Sequence, residues 1–389
     1  MVFARFAIKL ALVSFVWVST LNISCLATPE ADPPELLVYE VSSDLMLLGE
    51  LRVRAASDHS ASWVADVGSI KLKEDEYTEF SANNTKCPHH LGAIRRAELV
   101  WGIPRLRSAD LASATWVDDR VLSAIASHPT LIKLILPPAP DASAEGLRRL
   151  SSLSKLESLS CFSSTLAKDQ FKILLSVPLL KNLELKGVST TGFAAVDWAK
   201  LFRTLSSLES LSFCASTAGD ATVVIQSFSR SSVCTLEVCL ESSMSDDLLV
   251  ALGGIPRLAA LALSDDGRAR ITAKGAQGLS KILTLRSLTL EHAYLDFADS
   301  DNLVLPGLVT LRLFGQDSLT DASLEAIGKF PMLAGISLYK CARVTCAGIK
   351  HLCAAEGART ITIQHCKSLK SEEIDALKRE FPRHTFVRG

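Results

Sequence analysis

Two apolar rhythms alternate along most of the chain. One is a short phrase with apolar residues at its first, fourth and sixth positions, as in LIKLIL from Leu131, LKNLEL from Leu180, LAALAL from Leu258, LRSLTL from Leu285, LVTLRL from Leu308 and LAGISL from Leu333. Copies begin at Leu106, Leu131, Leu156, Leu180, Leu208, Val233, Leu258, Leu285, Leu308, Leu333 and Ala358, spaced 23 to 28 residues apart. Between positions 4 and 6 stands a residue such as Ser160, Glu184, Ser212, Glu237 or Arg312. Apolar side chains with a period of two and one wet face between them predict a strand.

The second rhythm follows the strand after a variable turn. DDRVLSAIASHP from Asp118, SAEGLRRLSSL from Ser143, SDDLLVALGGIP from Ser245, TDASLEAIGKFP from Thr320 and SEEIDALKREFP from Ser371 each open on a residue able to accept from free helix amides. Leu248 with Leu252, and Leu324 with Ile327, then share one helical face. Each predicted helix has only two or three turns and is marginal alone, so neither element buries its apolar side until units stack.

These passages, LAGISLYKC at Leu333–Cys341 and TDASLEAI at Thr320 above all, resemble the leucine-rich repeat family, in the strand-helix class of roughly 25 residues found in cysteine-containing repeats and exported bacterial repeat proteins. The resemblance implies an α/β solenoid, a horseshoe or arc with an inner parallel β-sheet and outer short α-helices. It also implies a binding or scaffolding role rather than catalysis. The array is expected over residues 88–389, closed by a C-terminal cap in which Ile374, Leu377 and Phe381 form a last apolar face and HTFV adds a strand. Eleven strands spaced about 4.8 Å apart give an inner arc on the order of 50 Å. Residues 36–87 form an N-terminal cap or an aberrant first repeat, in which Val67, Ile70 and Leu72 reproduce the 1-4-6 spacing.

The chain departs from the family at position 9, commonly Asn or Cys. Cys341 and Cys366 keep the pattern, while Ser164, Val188, Asp266, Ala293 and Gln316 do not, so the ladder of buried side-chain hydrogen bonds is expected to be patchy. The phrases at Val233 and Ala358 are degenerate, and the register is least determined over Arg230 to Cys239.

At the beginning, Arg5 and Lys9 precede the apolar run Leu10–Val18, and Cys25-Leu26-Ala27 supplies small residues before Thr28. This reads as a signal peptide over 1–27, followed by a disordered leader over 28–35. The apolar run falls short of the ~20 residues a membrane span needs. The expected product is secreted or periplasmic, with association to the cell envelope open. Loss of Arg5 and Lys9 takes the formal charge of −1 to about −3. A near-neutral chain without a long basic run argues against nucleic acid as a partner, and 48% apolar residues exclude disorder for the bulk of it.

Positions 3, 5 and 7 of each phrase make the open face. On it Arg312, Phe314 and Tyr339 cluster across adjacent units, and Arg and aromatic side chains dominate interface energetics. They are the candidate interaction surface for another protein, an extended peptide or a glycan. Asp110, Glu184 and Glu237 are expected to lie too far apart to make one acidic pocket. Cys214 and Cys239 share position 7 of successive units, as Cys341 and Cys366 share position 9. Neighbouring strands bring each pair within disulfide range at the α-carbons but slightly wide at the β-carbons, leaving a disulfide and a reduced ladder both open.

No metal, cofactor or catalytic constellation is expected. Cys87-Pro88-His89-His90 lacks a second ligand pair, and strand alternation sends His365 and Cys366 to opposite faces. The paired acids Asp118-Asp119, Asp246-Asp247 and Asp265-Asp266 read as helix caps and turns. An exported protein-binding scaffold is therefore the expected function. A structural envelope component is the second reading, and an enzyme on a repeat scaffold the third.

Overall fold

A computed structural model describes residues 37–41, 45, 48–55, 62–64, 68–73, 76–82, 91–137, 142–161, 177, 179–186, 195–228, 232–266, 270–295, 303–354 and 358–388. The expected signal peptide and leader, Val67, Cys87 to His90, Ser164 and Val188 lie outside the described residues. The chain divides into two compact units, one reaching Lys155 and one running from Leu156, with the short segment Leu136–Ala139 belonging to the second.

In the first unit, β1 (Leu37–Val41) pairs antiparallel with β4 (Gly68–Leu72), while β2 (Gly49–Ala55) pairs antiparallel with both β3 (Ser62–Val64) and β5 (Glu76–Ala82). From β5 the ladder turns parallel, through β6 (Leu106–Asp110) to β7 (Lys133–Leu136). Helices α1 (Ala93–Trp101), α2 (Asp119–Ala126) and α3 (Ala144–Arg148) complete it. Ile70 and Leu72 have the spacing of a repeat phrase, yet their strand is antiparallel to β1 and stands outside the parallel ladder. The strand beside the first repeat is β5, where buried Thr78 donates to the Pro104 carbonyl at 2.6 Å. A period of two cannot distinguish the two kinds of ladder, because strand alternation is the same in both.

The second unit repeats one plan. Its strands are β8 (Ser158–Cys161), β9 (Asn182–Leu185), β10 (Ser210–Ala215), β11 (Thr235–Leu240), β12 (Ala260–Ser264), the short β13 (Arg270–Ile271), β14 (Ser287–Glu291), the short β15 (Tyr294–Leu295), β16 (Thr310–Phe314), β17 (Gly335–Tyr339), β18 (Thr360–Gln364) and β19 (Thr385–Arg388). Apart from β13 and β15, which pair with each other, they form one parallel ladder in chain order. Between them run α4 (Ala195–Thr204), α5 (Ala218–Gln226), α6 (Asp246–Leu252), α7 (Ala273–Ser280), α8 (Asp321–Gly328), α9 (Cys346–Ala354) and α10 (Ser371–Glu380).

The register follows the leucine phrase. Position 4 runs in line from Leu211 through Leu236, Leu261, Leu288, Leu311 and Ile336 to Ile361. These side chains are buried together with Leu248, Leu252, Leu324 and Ile327 of the helices, and a slip of one residue would turn every one of them to the open face. That penalty explains why β11, the degenerate phrase, still pairs in step with both neighbours. The strand expected from HTFV is β19, parallel to β18.

The helix starts are capped as the sequence predicts at Asp118, Ser143, Ser245 and Thr320. The start at Ser371 differs. Lys370 occupies the cap position, and the Glu373 carboxylate accepts its amide at 2.7 Å, since an ammonium has no lone pair to offer. A second layer of capping joins successive helices. Asp321 in the first turn of α8 accepts from the Thr345 amide at 2.8 Å and from its hydroxyl at 2.6 Å, at the start of α9. Asp246 does the same for Thr272, and Asp119 for Ser143.

Candidate functional site

Side chains at positions 3, 5 and 7 leave the ladder on the side away from the buried position 4 and 6 residues, so the open face is a grid of three rows. In β16 and β17, Arg312 is exposed while Phe314 and Tyr339 are half-buried. Phe314 pairs in register with Tyr339, and their ring centroids lie 5.6 Å apart at 47°. Arg312 stands opposite Ser337 on one side and Thr289 on the other. The structure therefore brings all three expected residues onto one patch.

It also adds two that alternation did not predict. Lys340 Nζ sits 5.1 Å from the Tyr339 ring centroid, and the His365 ring meets Tyr339 edge-on at 5.1 Å. Both occupy position 8, where the strand ends in a left-handed turn. The φ values are 55° at His292, 61° at Gly315, 53° at Lys340 and 55° at His365 in four successive units. A left-handed residue breaks the two-residue alternation, so its side chain need not follow the buried side. Gly315 fits this row for a second reason: a Cβ there would run into the His292 ring.

Behind the patch the position 9 ladder is more complete than expected. Gln316 Nε2 donates to the Leu290 carbonyl at 3.3 Å and the Phe314 carbonyl at 3.2 Å. Cys341 Sγ makes the same pair of contacts with Leu313 and Tyr339, and Cys366 Sγ with Leu338 and Gln364. Glutamine replaces the expected Asn or Cys because its amide reaches the same two carbonyls. Cys341 and Cys366 are buried as thiols, and Cys341 is pushed far up by its hydrogen bond with Cys366 and by burial. Cys366 faces inward and His365 outward, so they form no nucleophile–base pair.

A polar cluster lies further along the same face. Lys186 Nζ is 2.8 Å from Glu184 and 3.6 Å from Glu237, although their strands are separated by β10. Ser160 donates to Glu184 at 2.7 Å and Ser212 to Glu237 at 2.9 Å. The sequence places Asp110, Glu184 and Glu237 too far apart to make one acidic pocket; the long Lys186 side chain links two of them, Glu184 and Glu237. Its single charge offsets one of the two carboxylates, and its own pKa rises, first through the hydrogen bond with Glu184. Cys161 beneath is held as an inert thiol, pushed up to about 12 by burial and then by Glu184.

Cys214 and Cys239 occupy the same row between this cluster and the aromatic patch, paired in register on β10 and β11. Both are partly exposed thiols. Among the described residues no group of three or more His, Cys, Asp or Glu side chains has metal-binding geometry, and no helix is long and apolar enough to cross a membrane.

No protein-family model and no curated protein matches the chain. Solved structures do. A chain of the yeast Rad7 and Elc1 complex aligns over 76% of this chain and 77% of its own length, at 16% identity and a TM-score of 0.52. The leucine-rich repeat-containing protein LegL7 from Legionella pneumophila aligns over 62% of this chain and 86% of its own, at 18% identity and a TM-score of 0.46. An internalin, InlF, from Listeria monocytogenes covers 75% of each chain at 13% identity and a TM-score of 0.41. At such identities the likeness is one of fold alone, and with the repeating strand-helix units and their register it is consistent with a solenoid-like leucine-rich-repeat architecture.

Proposed function

We propose that this chain is an exported, non-enzymatic leucine-rich-repeat scaffold that binds a protein through the open face of its second unit. The observation that carries the reading is the patch of Arg312, Phe314, Tyr339, Lys340 and His365, which sets two aromatic rings, tilted against each other, among three basic or titratable side chains on the open sheet face. Arg312 makes no hydrogen bond or ion pair among the described residues, leaving its planar donor fork available to a carboxylate. The yeast chain of like fold was solved in a two-protein complex. Export rests on Arg5, Lys9, the apolar run to Val18 and the small residues before Thr28.

Anchors of this kind are each worth about 2 kcal/mol or more when truncated, which is roughly 30-fold in affinity. The double variant Phe314→Ala/Tyr339→Ala is therefore expected to lose the partner that the unaltered chain recovers from native extracellular material. Unchanged recovery by a variant with unchanged circular dichroism would sink the reading.

A further inference from the structure

We propose that Cys214 and Cys239 form a thiol–disulfide exchange site on the open face, with Cys239 as the attacking sulfur, Cys214 as the resolving thiol and a small aliphatic disulfide as the co-substrate. This goes beyond the scaffold reading and does not depend on it.

Four features describe this pair, and the first and the last set it apart from Cys341 and Cys366, which the sequence presents in the same relation. First, the position 7 row faces outward, so both sulfurs are partly exposed, whereas the position 9 pair is buried. Second, the in-register pairing puts their α-carbons at the spacing of adjacent strands, about 4.8 Å, inside the range a disulfide spans. Third, Cys239 stands in register between Cys214 on β10 and Ser264 on β12, both able to donate to its sulfur. Hydrogen bonding from Cys214 first, and from Ser264, brings Cys239 down to about 6 against burial, Glu237 and Glu241, just as Cys341 brings Cys366 down to about 7. Fourth, the sulfurs of Cys341 and Cys366 are committed to backbone carbonyls.

The chemistry balances without any other reagent. The Cys239 thiolate attacks one sulfur of RS–SR, forming a mixed disulfide as the S–S bond breaks and RS⁻ leaves, to be protonated by water. Cys214 then loses its proton to solvent and attacks Cys239 Sγ, expelling the second RS⁻. Two protein thiols are oxidised to one disulfide while the small disulfide is reduced to two thiols. Parallel β-carbons near strand spacing are wider than the ~3.8 Å a relaxed disulfide adopts, so the product is strained and readily reduced again. The site is reversible for that reason.

The full chain is treated with oxidised glutathione at neutral pH and its intact mass recorded. The expected product has lost two hydrogens, and digestion after Arg230 and Glu237 separates Cys234 from Cys239, so the linked peptides identify Cys214 with Cys239. Cys214→Ala is expected to stop with one glutathionyl group on Cys239, and Cys239→Ser to lose the fast reaction. The rate of Cys239 alkylation by iodoacetamide is expected to reach half its maximum near pH 6, set by the pKa of about 6. Absence of a 214–239 link in the unaltered chain, glutathione on Cys234 in preference to Cys239, or equal reaction at Cys341 and Cys366 would each overturn the proposal.

Discussion

At the scale of single residues, chemistry depends on which row a side chain joins. His128 shows this outside the candidate surface. It is buried in the first unit, with Nε2 3.0 Å from the Val100 carbonyl of α1, so that nitrogen carries the proton. Burial lowers its pKa below the ordinary 6.5, and the Val100 contact opposes the shift only in part. The sign follows directly. The unfolded chain takes up the proton first, so this contribution is intact above about pH 6.5 and is lost as pH falls from there through the depressed folded-state value. The urea midpoint is expected to drop between pH 7 and pH 5, and His128→Gln, which keeps a donor to Val100, to flatten that drop. An identical pH slope in the variant would remove His128 as the cause. The sequence offers no route to this residue, because a histidine before a proline in a helix-ending HP reads equally well as an exposed turn.

Between elements, the stack is tied by more than apolar contact. Asp119, Asp246 and Asp321 each accept from the amide and hydroxyl that open the following helix, and in all three that helix has glycine three residues past its cap: Gly146, Gly275 and Gly348. The glycine leaves room for the carboxylate; a Cβ on Gly348 would overlap Asp321 Oδ1. Gly348→Ala is expected to destabilise by about 1–3 kcal/mol in urea unfolding, as overpacking does. In an Asp321→Ala background the penalty should shrink without vanishing, since the Leu324 methyl and the Asp321 Cα also crowd that point. Equal costs in both backgrounds would discard the staple. The repeat strands, and the helices opening at Asp118, Ser143, Ser245, Thr320 and Ser371, were legible in the sequence because the 1-4-6 phrase and a Ser, Thr or Asp before an apolar helical face are local signals, whereas α1, α4, α5, α7 and α9 were not singled out. The aspartate staple was not, since each half reads as an ordinary cap and only the stacking of units joins them. The same holds for Lys340 and His365, whose left-handed turns leave no mark in an alternation of apolar and polar letters.

Across the whole molecule, what the chain does with its thiols depends on where it resides. Cys161, Cys341 and Cys353 are buried and held as thiols, with Cys353 pushed up to about 11 by burial and then by Glu380. Such sulfurs act as small apolar side chains in any compartment. Cys214 and Cys239 do not, and an oxidising exterior would hold their exchange site under pressure toward the disulfide. The proposed export is therefore the point on which the surface chemistry turns. The argument for it lies in the first 27 residues: two cations, then an apolar run too short to span the ~20-residue bilayer core, then small residues ahead of Thr28. The mature protein recovered from its native source is expected to begin at Thr28 by amino-terminal sequencing, with a formal charge shifted from −1 to about −3 by loss of Arg5 and Lys9. Recovery of an intact Met1 would place the chain in a reducing interior. There the scaffold reading of the Arg312 patch survives, while the exchange site stays reduced until a disulfide stress reaches it.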